Sequence, residues 1–349
     1  MQQKPTTFRF ILPLEVAAII SSQLLGTTTN IILKNLNGTL SLPIKRRNPD
    51  QGGGPTLAPP LGFERASNCM PNRKSWGDWT TYSPTNPENF QVSIEALAFT
   101  ITTDDWTGEM RSDFSDHIAS APDELKSELQ DWVKRFCSWT QLIVNQPLDL
   151  TDPIPGVIAR PSEQMLSWAE LEGSRSKIDS SAGPLSIEVA ERANPLSERL
   201  IEEGEFARIV ELTNNPTITA PMAVTLHGAA QLAAQRRKWR QAISEIGTAV
   251  EAIYTELLGL PTNHKKTLGA LLKTAEDASI SIPTGTKEKI LNPRNSAVHQ
   301  GIPPSQNTVL DAIEILAGLI RTHHPGWIGG ESLAAVHRPY QHDLSIVIT

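Results

Sequence analysis

Residues 239–257 carry an apolar stripe that constrains the fold of this chain more than any other feature. Six apolar side chains recur there every three or four residues: Trp239, Ile243, Ile246, Val250, Ile253 and Leu257. This spacing places them on one face of a helix, and that face has to be buried against other elements. Similar periodicity occurs in the neighbouring stretches, and the connections between them are short. The sequence therefore predicts an antiparallel helical bundle.

The bundle is predicted to occupy residues 195–324. Besides the central stripe, helical spacing occurs in 195–215, 223–235, 267–279 and 304–324. A further short helix is expected around residue 295, between the last two of these. Residues 325–349 form a C-terminal tail with a possible final strand.

The first 194 residues have a different pattern and predict an α+β domain. Residues 8–16, 30–44 and 89–103 are rich in apolar and β-branched side chains, which is typical of strands. A helical stripe follows in 122–144, and 45–88 is a long loop dense in proline and glycine. We expect this domain to have a sensing or recruitment role, with a ligand that the sequence does not identify. The fold class is thus an α+β domain followed by an all-α bundle.

Composition and charge exclude several classes of protein. The net charge is −7, from 31 basic and 38 acidic residues, and neither half of the chain is strongly basic. Contact with RNA or DNA would therefore occur through a local site. No apolar run is long enough to span a bilayer. Cys69 and Cys137 lie far apart without the spacing of a metal site, which favours reduced thiols in a cytoplasmic protein without a membrane partner.

Residues 292–301, NPRNSAVHQG, combine helix punctuation with reactive side chains. Asn292 suits an N-cap, Pro293 the first helical position and Gly301 a left-handed C-cap. Arg294 and Asn295 would then lie in the first turn, where free backbone N–H groups favour an anion.

His299 lies four residues after Asn295, so the two side chains are expected to share a helix face and hydrogen-bond. An arginine that grips phosphate beside a titratable imidazole suits RNA cleavage without a metal or a cofactor. Arg294 and His299, however, are five residues apart, about 140° around an ideal α-helix. A two-fold dimer that places two such helices face to face would bring these groups into one cleft.

The arrangement of Arg294, Asn295 and His299, after AVEAIYTELL and TLGALLKTAED, resembles the HEPN (higher eukaryotes and prokaryotes nucleotide-binding) domain. The resemblance covers residues 195–322. It implies a bundle that dimerises to form a metal-independent endoribonuclease, in a family with many toxins and effectors of prokaryotic defence. It also implies that Arg294 and His299 are catalytic, that Asn295 orients them, and that Glu251 supports the site.

Two other interpretations stay open at this stage. Arg294 could simply pair with a carboxylate such as Glu251 while His299 caps a carbonyl. The bundle would then be a non-catalytic module for dimerisation or nucleotide binding. A basic cluster at a helix junction, which consists of Arg236, Arg237, Lys238 and Arg240, could contact an RNA backbone or be a solvated surface. His227 has no charged neighbour in sequence and is expected to be a packed histidine.

Overall fold

The computed structural model describes nine stretches of the chain, and all structural statements below concern these residues. They are 6–34, 36–46, 56–63, 76–81, 91–103, 123–148, 166–170, 200–261 and 263–327. The chain divides into two units, an N-terminal antiparallel sheet region and a C-terminal helical region. Most of the predicted loop at 45–88, nearly all of the tail, Cys69 and Trp106 lie outside the described residues.

The N-terminal unit is built on an antiparallel sheet. Its strands are β1 (Thr6–Ser21), β2 (Thr28–Leu33), β3 (Leu36–Ser41), β6 (Gly77–Thr81), β7 (Gln91–Thr103) and β8 (Leu166–Glu170). The order is β2-β3-β7-β1-β8, and β6 also pairs with β7. Two short strands, β4 (Ile44–Arg46) and β5 (Thr56–Ala58), form a separate antiparallel pair.

A break in the ladder interrupts the long pair formed by β1 and β7. The register is regular from Thr6 to Pro13 and resumes at Ala18. Pro13 has no N–H to donate, so a bulge at this point disturbs the fewest ladder hydrogen bonds. Val16, inside the break, bonds instead through its N–H to the carbonyl of Leu148 at 3.2 Å. The strand therefore stays anchored where it leaves β7.

Helix α1 (Asp123–Val144) confirms the helix predicted over 122–144 and packs on the sheet. Trp132 is fully buried at its centre, stacked on Phe136 at 5.5 Å and edge-on to Phe99 of β7 at 5.7 Å. Trp76, Trp139 and Cys137 are also buried. These three tryptophan side chains thus serve core packing, as their apolar surface favours.

Helix α2 (Glu203–Asn214) belongs to the N-terminal unit. Phe206 packs edge-on to Phe136 of α1 at 6.4 Å. Before α2 the chain is extended, and Ile201 bonds through its backbone to Ile19 and Ser21 of β1. The helix predicted from residue 195 therefore starts later, and the boundary between the units falls near residue 218 instead of at 194. The reason is that the apolar face of α2 is buried against α1.

The helical unit contains α3 (Met222–Gln235), α4 (Trp239–Leu257), α5 (Leu268–Asp277), α6 (Asn292–Asn295) and α7 (Gln306–His323). Helix α4 packs against α3, α5, α6 and α7. The stripe residues Ile243, Ile246, Val250 and Ile253 are almost completely buried, which explains why α4 lies at the centre. No helix in the described part of the chain is long and apolar enough to cross a membrane.

Asn214, at the end of α2, connects three elements of the N-terminal unit. Its Oδ1 accepts hydrogen bonds from the Trp132 indole N–H and from the Ile32 N–H, both at 2.9 Å. Its Nδ2 donates to the carbonyl of Asn30 at 3.2 Å. The side chain thereby satisfies a buried donor on α1 and two backbone groups of β2.

We expect Asn214→Ala to lower the free energy of unfolding by about 1–3 kcal/mol, because the buried indole N–H loses its acceptor. Asn215→Ala is the matched control, since Asn215 is exposed and its side chain bonds to Thr217 and to no other residue in the described part of the chain. It should change stability by less than about 0.5 kcal/mol. Urea unfolding measures both variants. Equal effects from the two substitutions would contradict the bridging role of Asn214.

Candidate functional site

The motif residues lie within one continuous helical segment, residues 287–300, here called the motif helix. It consists of a π-helical turn at Lys287–Leu291, the α-helical turn α6, and a second π-helical turn at Ser296–Gln300. Leu291 has helical backbone angles, φ −62° and ψ −52°, and the Asn292 N–H bonds to the carbonyl of Lys287. The prediction that Asn292 caps a helix N-terminus is therefore wrong, and Arg294 does not lie in a first turn.

Pro293 explains the unusual backbone that precedes it. Inside an α-helix, proline lacks the N–H for the intrahelical bond, and its ring collides with the carbonyl four residues earlier. A π turn uses bonds between residues five apart and is wider, so it relieves this collision. Proline therefore marks the middle of the motif helix rather than its beginning.

The second π turn changes which side chains share a face. The Gly301 N–H bonds to the carbonyl of Ser296, five residues back, and Gly301 has φ 72°. Gly301 thus forms the left-handed C-cap that the sequence predicts. A π turn has more residues per turn than an α-helix, so the side chains beyond it are shifted from ideal α-helical spacing. Arg294 and His299 both line one cleft within a single chain.

Asn295 and His299 do not form the hydrogen bond that the sequence predicts. Neither side chain makes a hydrogen bond to any described residue. Both side chains are exposed and border the cleft. Among the described residues, Asn295 therefore has no hydrogen bond through which it would orient the imidazole.

Arg294 pairs with Glu251 of α4. Its Nη2 lies 3.0 Å from Glu251 Oε1, and the two side chains are 21% and 24% exposed. The Nε of Arg294 is buried and has no acceptor among the described residues. An arginine with an unsatisfied buried nitrogen is held by its surroundings and not by a full set of hydrogen bonds. Glu251 itself does not line the cleft, so any influence it has on the site passes through Arg294.

The cleft has a volume of about 570 Å³ and opens to solvent. It lies between the motif helix and the start of α5. Its lining residues are Thr267, Leu268, Gly269, Leu291, Asn292, Arg294, Asn295, Ser296, His299 and Gln300. Among these, arginine supplies a permanent positive charge, and histidine is the side chain that can exchange a proton near neutral pH.

The first turn of α5 contributes backbone donors that the sequence analysis missed. Thr267 is the N-cap and its hydroxyl accepts from the Ala270 N–H at 3.4 Å. The N–H groups of Leu268 and Gly269 belong to the first turn, which has no intrahelical acceptors. The positive end of a helix thus borders the cleft, but it comes from α5 and not from the motif helix. The threonine cap before LGALLKTAED was the available signal for it.

The basic cluster lies apart from this cleft. Arg237, Lys238 and Arg240 are exposed at the junction of α3 and α4. Arg240 precedes Glu251 by eleven residues on α4, which corresponds to roughly 16 Å along the helix axis. Arg294, Asn295 and His299 therefore line one cleft, and Glu251 contacts Arg294 without lining it. The residues of the basic cluster are not among the lining residues.

His227 confirms the expectation of a packed histidine. It is 2% exposed on α3, and burial together with the charge of Arg321 lowers its pKa from 6.5 to about 4. It is therefore neutral at physiological pH, and we assign it no role in proton transfer.

No protein-family model matches the chain, and neither a curated protein nor a solved structure is significantly similar to it.

We expect Pro293→Ala to raise the free energy of unfolding by about 1–2 kcal/mol, because proline inside an α-helix is less favourable than alanine by about 3 kcal/mol and the π turn already relieves part of this cost. A proline at a helix start would give no such gain. Pro303→Ala, in the loop before α7, is the control and should be neutral or slightly destabilising through the unfolded chain. Urea unfolding compares the two. A destabilised Pro293→Ala variant would contradict the continuous helix.

Proposed function

We propose that the helical unit is a HEPN-like, metal-independent endoribonuclease that acts as a homodimer. The observation that carries the proposal is that Arg294 and His299 line the same open cleft. Ideal α-helical spacing would place them about 140° apart, and the π turn at Ser296–Gln300 departs from that spacing. His299 is exposed, so it is available to a substrate.

The chemistry proceeds by attack of the ribose 2′-oxygen on the adjacent phosphorus. One imidazole removes the 2′-hydroxyl proton, the bond from phosphorus to the 5′-oxygen breaks, and a second proton goes to the departing 5′-oxygen. The products are a 2′,3′-cyclic phosphate and a free 5′-hydroxyl. Arg294 stabilises the negative charge that develops on the phosphoryl oxygens, and the N–H groups of Leu268 and Gly269 add to this field.

A homodimer fits this reaction because base and acid act in one step. Among the cleft-lining residues, His299 is the side chain whose type suits general acid–base catalysis, so one chain offers one such group. Two chains related by a two-fold axis would offer two. Val298 and Ile302, on either side of His299, are 46% and 56% exposed, and such apolar side chains are suited to a subunit interface.

The proposal extends to the rest of the chain as follows. Arg236, Arg237, Lys238 and Arg240 contact the backbone of RNA that runs on from the cleft along α4. The N-terminal unit senses or recruits a partner. By its resemblance to HEPN effectors, the protein acts in the cytoplasm, in prokaryotic defence or toxin–antitoxin conflict.

Incubation of the purified protein with total RNA in EDTA tests the activity. We expect cleavage to fall at least about 100-fold in His299→Ala, which removes the general acid–base group, and comparably in Arg294→Ala. His323→Ala, at the far end of α7 and outside the cleft, is the control and should cleave like the wild type. Cyclic phosphate ends are detected by their resistance to ligation until they are opened. RNA that stays intact with the wild-type protein would refute the proposal.

The subunit interface is tested by Val298→Asp and Ile302→Asp. Each places a charge in the proposed apolar contact and should raise the dimer dissociation constant on the order of tenfold or more. Met222→Asp is the control, because Met222 is 64% exposed in the same unit but distant in sequence from the motif helix. Sedimentation analysis measures the dissociation constants. A wild-type monomer, or aspartate variants that dimerise normally, would contradict the proposed interface.

A second candidate function has an observation in its favour. The ion pair with Glu251 offsets part of the charge of Arg294, as in a structural contact. The bundle would then be a non-catalytic module for dimerisation or nucleotide binding. An intact RNA substrate together with an unaltered dimer and calorimetric binding of a nucleotide would favour this alternative.

A further inference from the structure

Gly247 lies in the interior of α4 beneath the side chain of Arg294. A Cβ atom built on Gly247 would collide with Arg294 Cδ and would lie only 2.6 Å from its Nε and 3.2 Å from its Cγ. Gly247 is buried, and its backbone φ is not positive. The backbone conformation therefore does not require glycine at position 247. The close approach of the Arg294 side chain requires it.

Glycine at position 247 lowers the stability of α4. In a helix interior it is less favourable than alanine by about 1 kcal/mol. Gly318, in the interior of α7, shows that a helical glycine need not have such a neighbour, because nothing lies within 4 Å of its Cβ position. The contact with Arg294 is thus specific to Gly247.

The spacing on α4 links Gly247 to the ion pair. Glu251 follows Gly247 by four residues and so lies one turn further on the same face. The aliphatic part of Arg294 crosses the bare surface of Gly247, and its guanidinium then reaches Glu251. The buried Nε lies above a helix backbone whose carbonyls are already bonded within the helix, which accounts for its missing acceptor.

We infer that Gly247 is a positioning residue that holds Arg294 along α4, against Glu251 and at the edge of the cleft. It touches no substrate, and its importance for RNA cleavage rests on the proposed function. Any side chain at position 247 would lift the arginine away from α4. The guanidinium would then lose Glu251 and its fixed position at the edge of the cleft.

A stability cycle tests this inference without any reference to activity. The folding equilibrium constant is measured by urea unfolding for the wild type, Gly247→Ala, Arg294→Ala and the double variant. We expect Gly247→Ala to lower this constant when Arg294 is present and to raise it about fivefold when Arg294 is truncated, because only helix propensity then remains. Gly318→Ala, the matched control, should raise it in both backgrounds.

Each outcome of the cycle decides the inference. If Gly247→Ala fails to fold while the double variant folds, the inference is supported. If Gly247→Ala has the same effect in both backgrounds, or if neither variant folds, the contact with Arg294 is not the reason for the glycine and the inference is overturned.

RNA cleavage then tests the catalytic consequence. We expect Gly247→Ala to reduce kcat at least tenfold at a temperature where it is folded, and Gly318→Ala to leave kcat unchanged. Wild-type activity in Gly247→Ala would overturn the positioning role. If the wild type itself leaves RNA intact, the proposed function fails, and the stability cycle still decides whether Gly247 holds Arg294.

Discussion

The burial of one face of α4 is the constraint on which the helical unit depends. Its apolar stripe is enclosed by α3, α5, α6 and α7, so all of them take their positions from this one helix. The residue after Ile246 is Gly247, which has no side chain, and the side chain of Arg294 occupies the space above it. The element that organises the core therefore also fixes the charged group of the candidate site. Stability and site geometry are coupled through a single helix.

The motif helix carries most of the residues that line the cleft. Pro293 cannot join the regular hydrogen bonding of an α-helix, and the chain passes it with a π turn instead of ending. A second π turn contains His299, which lines the cleft together with Arg294. π turns are uncommon and frequently occur at functional sites.

In the N-terminal unit, a few polar contacts join elements that are distant in sequence. Asn214 bonds to α1 and to β2, and Gln146 bonds through its side chain to both backbone groups of Ile19. The bonds of Asn214 attach α2 to α1 and β2, and those of Gln146 attach the segment after α1 to β1. The position of the boundary between the two units is therefore set by side-chain partners rather than by the change in secondary structure.

Local patterns in the sequence determined the class of each unit, the central helix and its buried face, and the C-cap at Gly301. These follow from residue periodicity and chemistry, which act over a few turns. The tertiary structure alone decided that α2 joins the sheet, that Asn292 lies within a helix, and that α5 supplies the helix end at the cleft. It also decided which residues share a face of the motif helix and why position 247 is glycine. Such features depend on contacts between residues far apart in the chain and on two π turns that depart from α-helical geometry, and a pattern of neighbouring residues does not encode them.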